Sequence, residues 1–99
     1  MLRHIVTWKL RADDVAGRLD ASSTLASELQ GLVSLIPEIT SLTVATNSTS
    51  VPGNWDVVLV ADYADEAALQ AYIDHPEHQR VVAIVRELVK ERAAVDFLV

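Results

Sequence analysis

Seven residues, Tyr72-Ile73-Asp74-His75-Pro76-Glu77-His78, gather most of the groups able to move a proton near neutral pH. They hold two of the three histidines and one of the two tyrosines. A neutral imidazole can take a proton from an acidic carbon and return it later. A phenol can donate to the oxyanion that develops in the same step. His78 is therefore read as a general base and Tyr72 as an acid or oxyanion donor. Each competes with a bland assignment. His78 could be a structural histidine bonded to a backbone carbonyl or to a carboxylate such as Asp56, and Tyr72 a core tyrosine with its hydroxyl at the rim. Tyr72 sits six residues before His78, with Pro76 between them, so they meet only if the break at Pro76 folds two helical pieces around one mouth. His75 is assigned to shaping that turn. The His-x-x-His spacing of His75 and His78 also raises a metal site. Two histidines make a weak one, and the proline disturbs the helical register such pairs use, so no metal is expected.

The third histidine, His4, lies on an alternating stretch, Leu2 to Leu10, that reads as a strand. It shares a face with Val6 and Trp8 and needs a partner if buried. Asp56 or Asp62, on a neighbouring strand, is expected to accept a hydrogen bond from it and orient it.

The scaffold follows from periodicity. After the first strand, Asp13 or Asp14 opens a helix whose apolar positions, Val15, Leu19, Ser22, Leu25, Leu29, Leu32, Val33 and Ile36, recur at steps of three and four until Pro37 ends it. Glu38 to Thr46 reads as a second strand, and Asn47 to Asn54 as a loop dense in turn formers. Trp55 to Tyr63 alternates most strongly. Asp65 caps a further helix, interrupted at Asp74-His75-Pro76. Val81, Val82, Val85, Leu88 and Val89 carry the second piece, while Arg80, Arg86, Glu87 and Lys90 are expected to point outward. Ala93 to Val99 closes the chain as a short strand. The order β-α-β-β-α-β predicts an α+β fold: a ferredoxin-like protomer, with helices on one face of a four-stranded antiparallel sheet. Both faces of the first and third strands are largely apolar. The uncovered face then calls for a second copy, forming a dimeric α+β barrel.

Composition narrows the function. Ninety-nine residues make one domain spanning 1–99, and 51% are hydrophobic. The net charge of −6, with Lys and Arg scattered, argues against nucleic acid as a partner. No cysteine is present, which excludes disulfides and thiolate chemistry. Neither a signal peptide nor a membrane-length apolar run is legible, so the expectation is a cytoplasmic protein with no membrane partner.

The Tyr72-x-x-His75-Pro76-x-His78 segment, with His4, Ile36-Pro37 and Asp96-Phe97, resembles the stress-responsive A/B barrel (Dabb) family across nearly the whole chain. The resemblance implies a homodimer that folds without a metal or organic cofactor. It also implies a range of roles, since plant relatives include a stress-associated oligomeric protein and a polyketide cyclase. In that cyclase the positions matching Tyr72 and His78 form an acid–base pair for an intramolecular aldol condensation. Two positions depart from it: Asp56 stands where the cyclase has a histidine, and Leu29 where it has a pocket tyrosine.

The resulting reading is a homodimeric barrel that binds a small hydrophobic or phenolic molecule, with cofactor-free cyclase- or isomerase-like chemistry as its possible activity. His78 and Tyr72 would be catalytic, and His4 and Asp56 orienting. The alternatives are a non-catalytic stress-response or assembly protein and, by fold analogy, a cofactor-free monooxygenase-like barrel.

Overall fold

The computed structural model describes residues 1–99. Strand β1 (Leu2–Leu10) leads to helix α1 (Val15–Gln30), a 3-10 turn (Gly31–Ser34) and strand β2 (Ser41–Thr46). Strand β3 (Val57–Tyr63), helices α2 (Glu66–Asp74) and α3 (Pro76–Leu88) and strand β4 (Val89–Leu98) follow. The strands form one antiparallel sheet in the order β2-β3-β1-β4. This is the ferredoxin-like arrangement expected.

Each helix starts for a local reason. The Asp14 carboxylate accepts from the Gly17 N–H, and the Asp65 carboxylate from the Ala68 N–H, satisfying amides left free at the two N-termini. The break between α2 and α3 rests on His75, whose extended backbone both ends one helix and starts the next. Its Nδ1 accepts from the Glu77 N–H at 3.1 Å, and Pro76 occupies the first turn, where its missing N–H costs nothing. His75 is thus the turn-shaping residue the sequence suggested.

Four boundaries differ from expectation, the first being β3, which starts at Val57 rather than Trp55. Helix α1 stops at Gln30, and the chain tightens into the 3-10 turn before Pro37. Strand β2 starts at Ser41, because Pro37 and Glu38 form a turn. Strand β4 starts at Val89, the residue at which the backbone turns from helical to extended with no loop between.

The core lies between sheet and helices. Even-numbered β1 residues His4, Val6, Trp8 and Leu10, with Val57, Leu59, Ala61 and Tyr63 of β3, are buried under Leu25, Leu29, Leu32, Ile36, Leu69, Tyr72, Val81 and Val85. The opposite sheet face has no helix over it. Across its middle run Thr43, Val60, Ile5 and Val95 in register, flanked by Phe97 and the Arg3–Asp62 ion pair at 2.9 Å. Val95 and Phe97 remain 57% and 41% exposed in the single chain. Val15, Leu19 and Val33, expected on the buried face of α1, are also exposed.

Candidate functional site

A cavity of about 450 Å³ opens between β1, β4 and α3, and ten of its fifteen lining residues are hydrophobic. That volume lies in the range of small-molecule sites. Trp8, Leu29, Leu59, Val81 and Val85 supply apolar wall, while Tyr72, His78 and His4 reach it from three different elements. The break at His75-Pro76 does what the pair requires: it turns α3 against the end of α2, so that the Tyr72 and His78 rings lie 4.3 Å apart at a 46° tilt. Tyr72 is only 2% exposed, yet it faces the cavity.

The hydrogen bonds fix the state of His78. Its Nδ1 lies 2.9 Å from the Ile73 carbonyl oxygen, which only accepts, so Nδ1–H donates. Gln79 Nε2 donates to the same oxygen at 2.7 Å. That carbonyl would have bonded the Glu77 N–H in an unbroken helix, so the break frees the acceptor that holds the imidazole. With Nδ1 protonated, Nε2 carries the lone pair. Burial lowers the His78 pKa below its ordinary 6.5. The Ile73 bond opposes that shift, and the charges of His4, Arg92 and His75 reinforce it. The ring is therefore neutral at pH 7 and able to accept a proton.

Burial acts in the other direction on the phenols. Burial raises Tyr72 above its ordinary value, opposed first by the neighbouring Tyr63 hydroxyl and then by the Arg92 charge, and Tyr63 is raised further by burial and by Tyr72 beside it. Their rings are 5.1 Å apart. The buried Tyr63 hydroxyl has no hydrogen-bond partner. Tyr72 is thus held as a neutral donor next to a neutral imidazole.

His4 has the carboxylate partner that its burial required, supplied by a different strand. His4 Nδ1 lies 2.5 Å from Asp96 Oδ1, directly across the β1–β4 register. Asp62 is engaged by Arg3. Asp56 is a correction: it sits before β3, beyond the last β1–β3 pair, Trp8 with Val57, whereas His4 pairs with Ala61. Its carboxylate accepts from the Leu10 N–H at 2.8 Å, and its N–H donates to the Trp8 carbonyl at 3.0 Å. Asp56 lies outside the cavity lining and locks the end of β1 to the β3 entrance.

Two cavity residues escaped the sequence reading. Arg86, expected to face solvent with the other charges of α3, lines the cavity, as does Arg92 of β4. Arg80 does point away, bonding Glu77 at 3.0 Å and Glu28 of α1 at 3.2 Å. Helical spacing separates the two: Arg86 stands eight residues after His78 and four after Val82, on the cavity side of α3, whereas Arg80 lies on the opposite side. Arg92 became readable only once β4 was known to begin at Val89.

The buried neutral imidazole makes a prediction about stability. Because the folded pKa of His78 lies below its unfolded value near 6.5, the unfolded chain binds more protons between the two. Stability from this group is therefore complete above about pH 6.5 and is lost as pH falls through the folded pKa. Comparing urea midpoints of wild type and His78→Gln between about pH 5 and 7.5 should show a steeper acid-side loss in the wild type. Parallel profiles would mean that His78 is not held neutral by the fold.

The ferredoxin-like fold, with a cavity between its sheet and its broken second helix, defines the class. The chain matches the stress responsive A/B barrel domain over residues 2–99, and it belongs to that family. Among solved structures it is similar to a dimeric protein of unknown function and ferredoxin-like fold from Bacteroides fragilis, at 30% identity, covering 97% of this chain and 93% of that one, with a TM-score of 0.86. Two enzymes share the fold at low identity. Hydroxynitrile lyase from Passiflora edulis is 11% identical over 99% of this chain and 92% of its own (TM-score 0.82). SnoaB, a cofactor-independent oxygenase from Streptomyces nogalater, is 12% identical over 99% and 91% (TM-score 0.75). No curated protein matches the sequence. No helix is long and apolar enough to cross a membrane.

Proposed function

We infer that the protein is a homodimer in which each protomer binds a small, mostly apolar molecule and carries out cofactor-free proton transfer on it. The observation that carries this reading is the convergence of Tyr72 and His78 on one apolar cavity, the phenol and the imidazole both held neutral. His78 Nε2 takes a proton from the carbon next to a ligand carbonyl. The Tyr72 hydroxyl donates a hydrogen bond to the enolate oxygen that forms. Returning the proton to a different carbon isomerises the ligand. If the enolate carbon attacks a second carbonyl of the same molecule, a ring closes and the proton goes to the new alkoxide. A phenolic or polyketide-like body suits either outcome. His4, held by Asp96, is the orienting residue beside the pair, and Asp56 has no part in it.

The homodimer rests on the uncovered sheet face and on the dimeric relative at 30% identity. The two enzymes of the same fold lend the catalytic reading a precedent at the level of architecture alone.

Native mass spectrometry of the purified protein tests ligand binding. The expected spectrum holds two chains and a small-molecule adduct that is absent from a Val85→Trp variant, in which the indole fills the cavity. A wild-type dimer that takes up nothing from a panel of phenols and diketones would favour the assembly role instead.

A further inference from the structure

The charges around the cavity are distributed unlike those of the chain. The protein has fourteen Asp and Glu against eight Lys and Arg. None of the fifteen lining residues is a carboxylate, whereas two are arginines. Neither arginine has an ion-pair partner, while Arg3, Lys9 and Arg80 are each paired with carboxylates. Arg86 comes from α3 and Arg92 from β4, where Arg92 stands across from Trp8, itself part of the cavity wall. The Asp96 carboxylate, on the same face of β4, is occupied by His4.

We propose that the ligand is an apolar carboxylate, its anion held by Arg92 and Arg86 at the cavity mouth and its body lying along Trp8, Leu29 and Val85. This deepens the small-molecule reading above and rests on it. An unpaired guanidinium beside an apolar wall is suited to a carboxylate, which it can grip through two parallel N–H donors. The wall itself offers an inorganic anion few further donors. Anchoring the acid at the mouth leaves the rest of the molecule to reach Tyr72 and His78. The positive charge of Arg92 also bears on both of those residues: it opposes protonation of His78 and the burial-driven rise in Tyr72. A bound carboxylate would relieve part of that influence, so binding and the proton chemistry are linked.

The test compares 4-phenylbutyrate with its uncharged amide, 4-phenylbutyramide, using Trp8 fluorescence and calorimetry on the full chain. The acid should bind wild type at least about tenfold more tightly than the amide, as expected for a charge-assisted hydrogen bond. That preference should shrink as salt rises. Arg92→Gln should bring the acid close to the amide and leave amide binding unchanged, with Arg86→Gln showing a smaller effect of the same kind. Equal affinities for acid and amide in wild type would overturn the carboxylate inference while leaving a functioning apolar cavity. Failure of both compounds to bind at millimolar concentration would remove the cavity reading and this inference together. An unchanged acid preference in the Arg92→Gln, Arg86→Gln double variant would also overturn it.

Discussion

Val60→Lys should abolish the proposed dimer and leave a folded 10.8 kDa monomer. Val60 lies between Thr43 and Ile5 in the sheet register, on the face that α1, α2 and α3 leave bare. Its side chain points away from the core, so the folded protomer tolerates a lysine there. A dimer packed on this face does not. Symmetry places two ammonium groups in one interface, each short of water and of a partner carboxylate. At roughly 3 kcal/mol per unpaired buried charge, the symmetric pair costs about 6 kcal/mol, or roughly four decades in Kd. Thr43→Lys at the edge of the same row should cost less, because its ammonium can reach solvent. Sedimentation velocity together with far-UV circular dichroism checks both parts. A Val60→Lys protein that remains dimeric would move the interface to another surface, and a wild-type monomer would remove it altogether.

The reason to expect an interface is the chemistry of that face. Ile5, Val60 and Val95 form an apolar row three strands wide, with Phe97 at one corner. The Arg3–Asp62 pair beside it uses up the two opposite charges nearest the row. What water would otherwise solvate is therefore largely hydrocarbon, and a second copy is the simplest cover for it.

How far the sequence could be read depended on the range of the contact. The β-α-β-β-α-β order and the role of His75-Pro76 were legible because periodicity and proline act locally. The same local logic anticipated that Tyr72 and His78 would meet, since the helix break sits between them and turns both toward one space. The partner of His4 was not legible. Strand β1 has two neighbours, and local pattern does not say whether a β1 residue meets its carboxylate on β3 or on β4. Asp56 looked suitable by residue type, but the β1–β3 ladder stops at Val57, and Asp56 lies beyond it, five residues from Ala61, the β3 partner of His4. Asp96 is ninety-two residues from His4 and directly opposite it. The start of β4 was masked for another reason. Val81, Val85 and Val89 continue a four-residue step, and only the backbone turn at Val89 shows that the last of them is already extended. With β4 misplaced, Arg92 had no assigned face, and the charge of the cavity mouth stayed hidden.

The second large effect concerns the chemistry itself. His78→Gln should abolish turnover of whichever compound the native spectrum reveals, by about 10²- to 10⁴-fold in kcat, with little change in ligand affinity. Glutamine retains an N–H able to reach the Ile73 carbonyl but has no basic nitrogen to take a proton. Tyr72→Phe should keep the ring packing against His78 and Tyr63 and lose only the donor. A fall of about 10²- to 10³-fold in kcat is expected if that donor stabilises an oxyanion. The pH profile distinguishes catalysis from packing. Wild-type turnover should fall on the acid side as pH drops through the lowered pKa of His78, because protonation removes the base. It should stay level well into the alkaline range, because burial holds Tyr72 protonated. Residual activity in His78→Gln should lack that acid limb. Full turnover in His78→Gln, or an acid limb unchanged in the variant, would take the base role away from His78. His4, fixed by Asp96 and 6.5 Å from the Tyr72 ring, would then be the next imidazole to test.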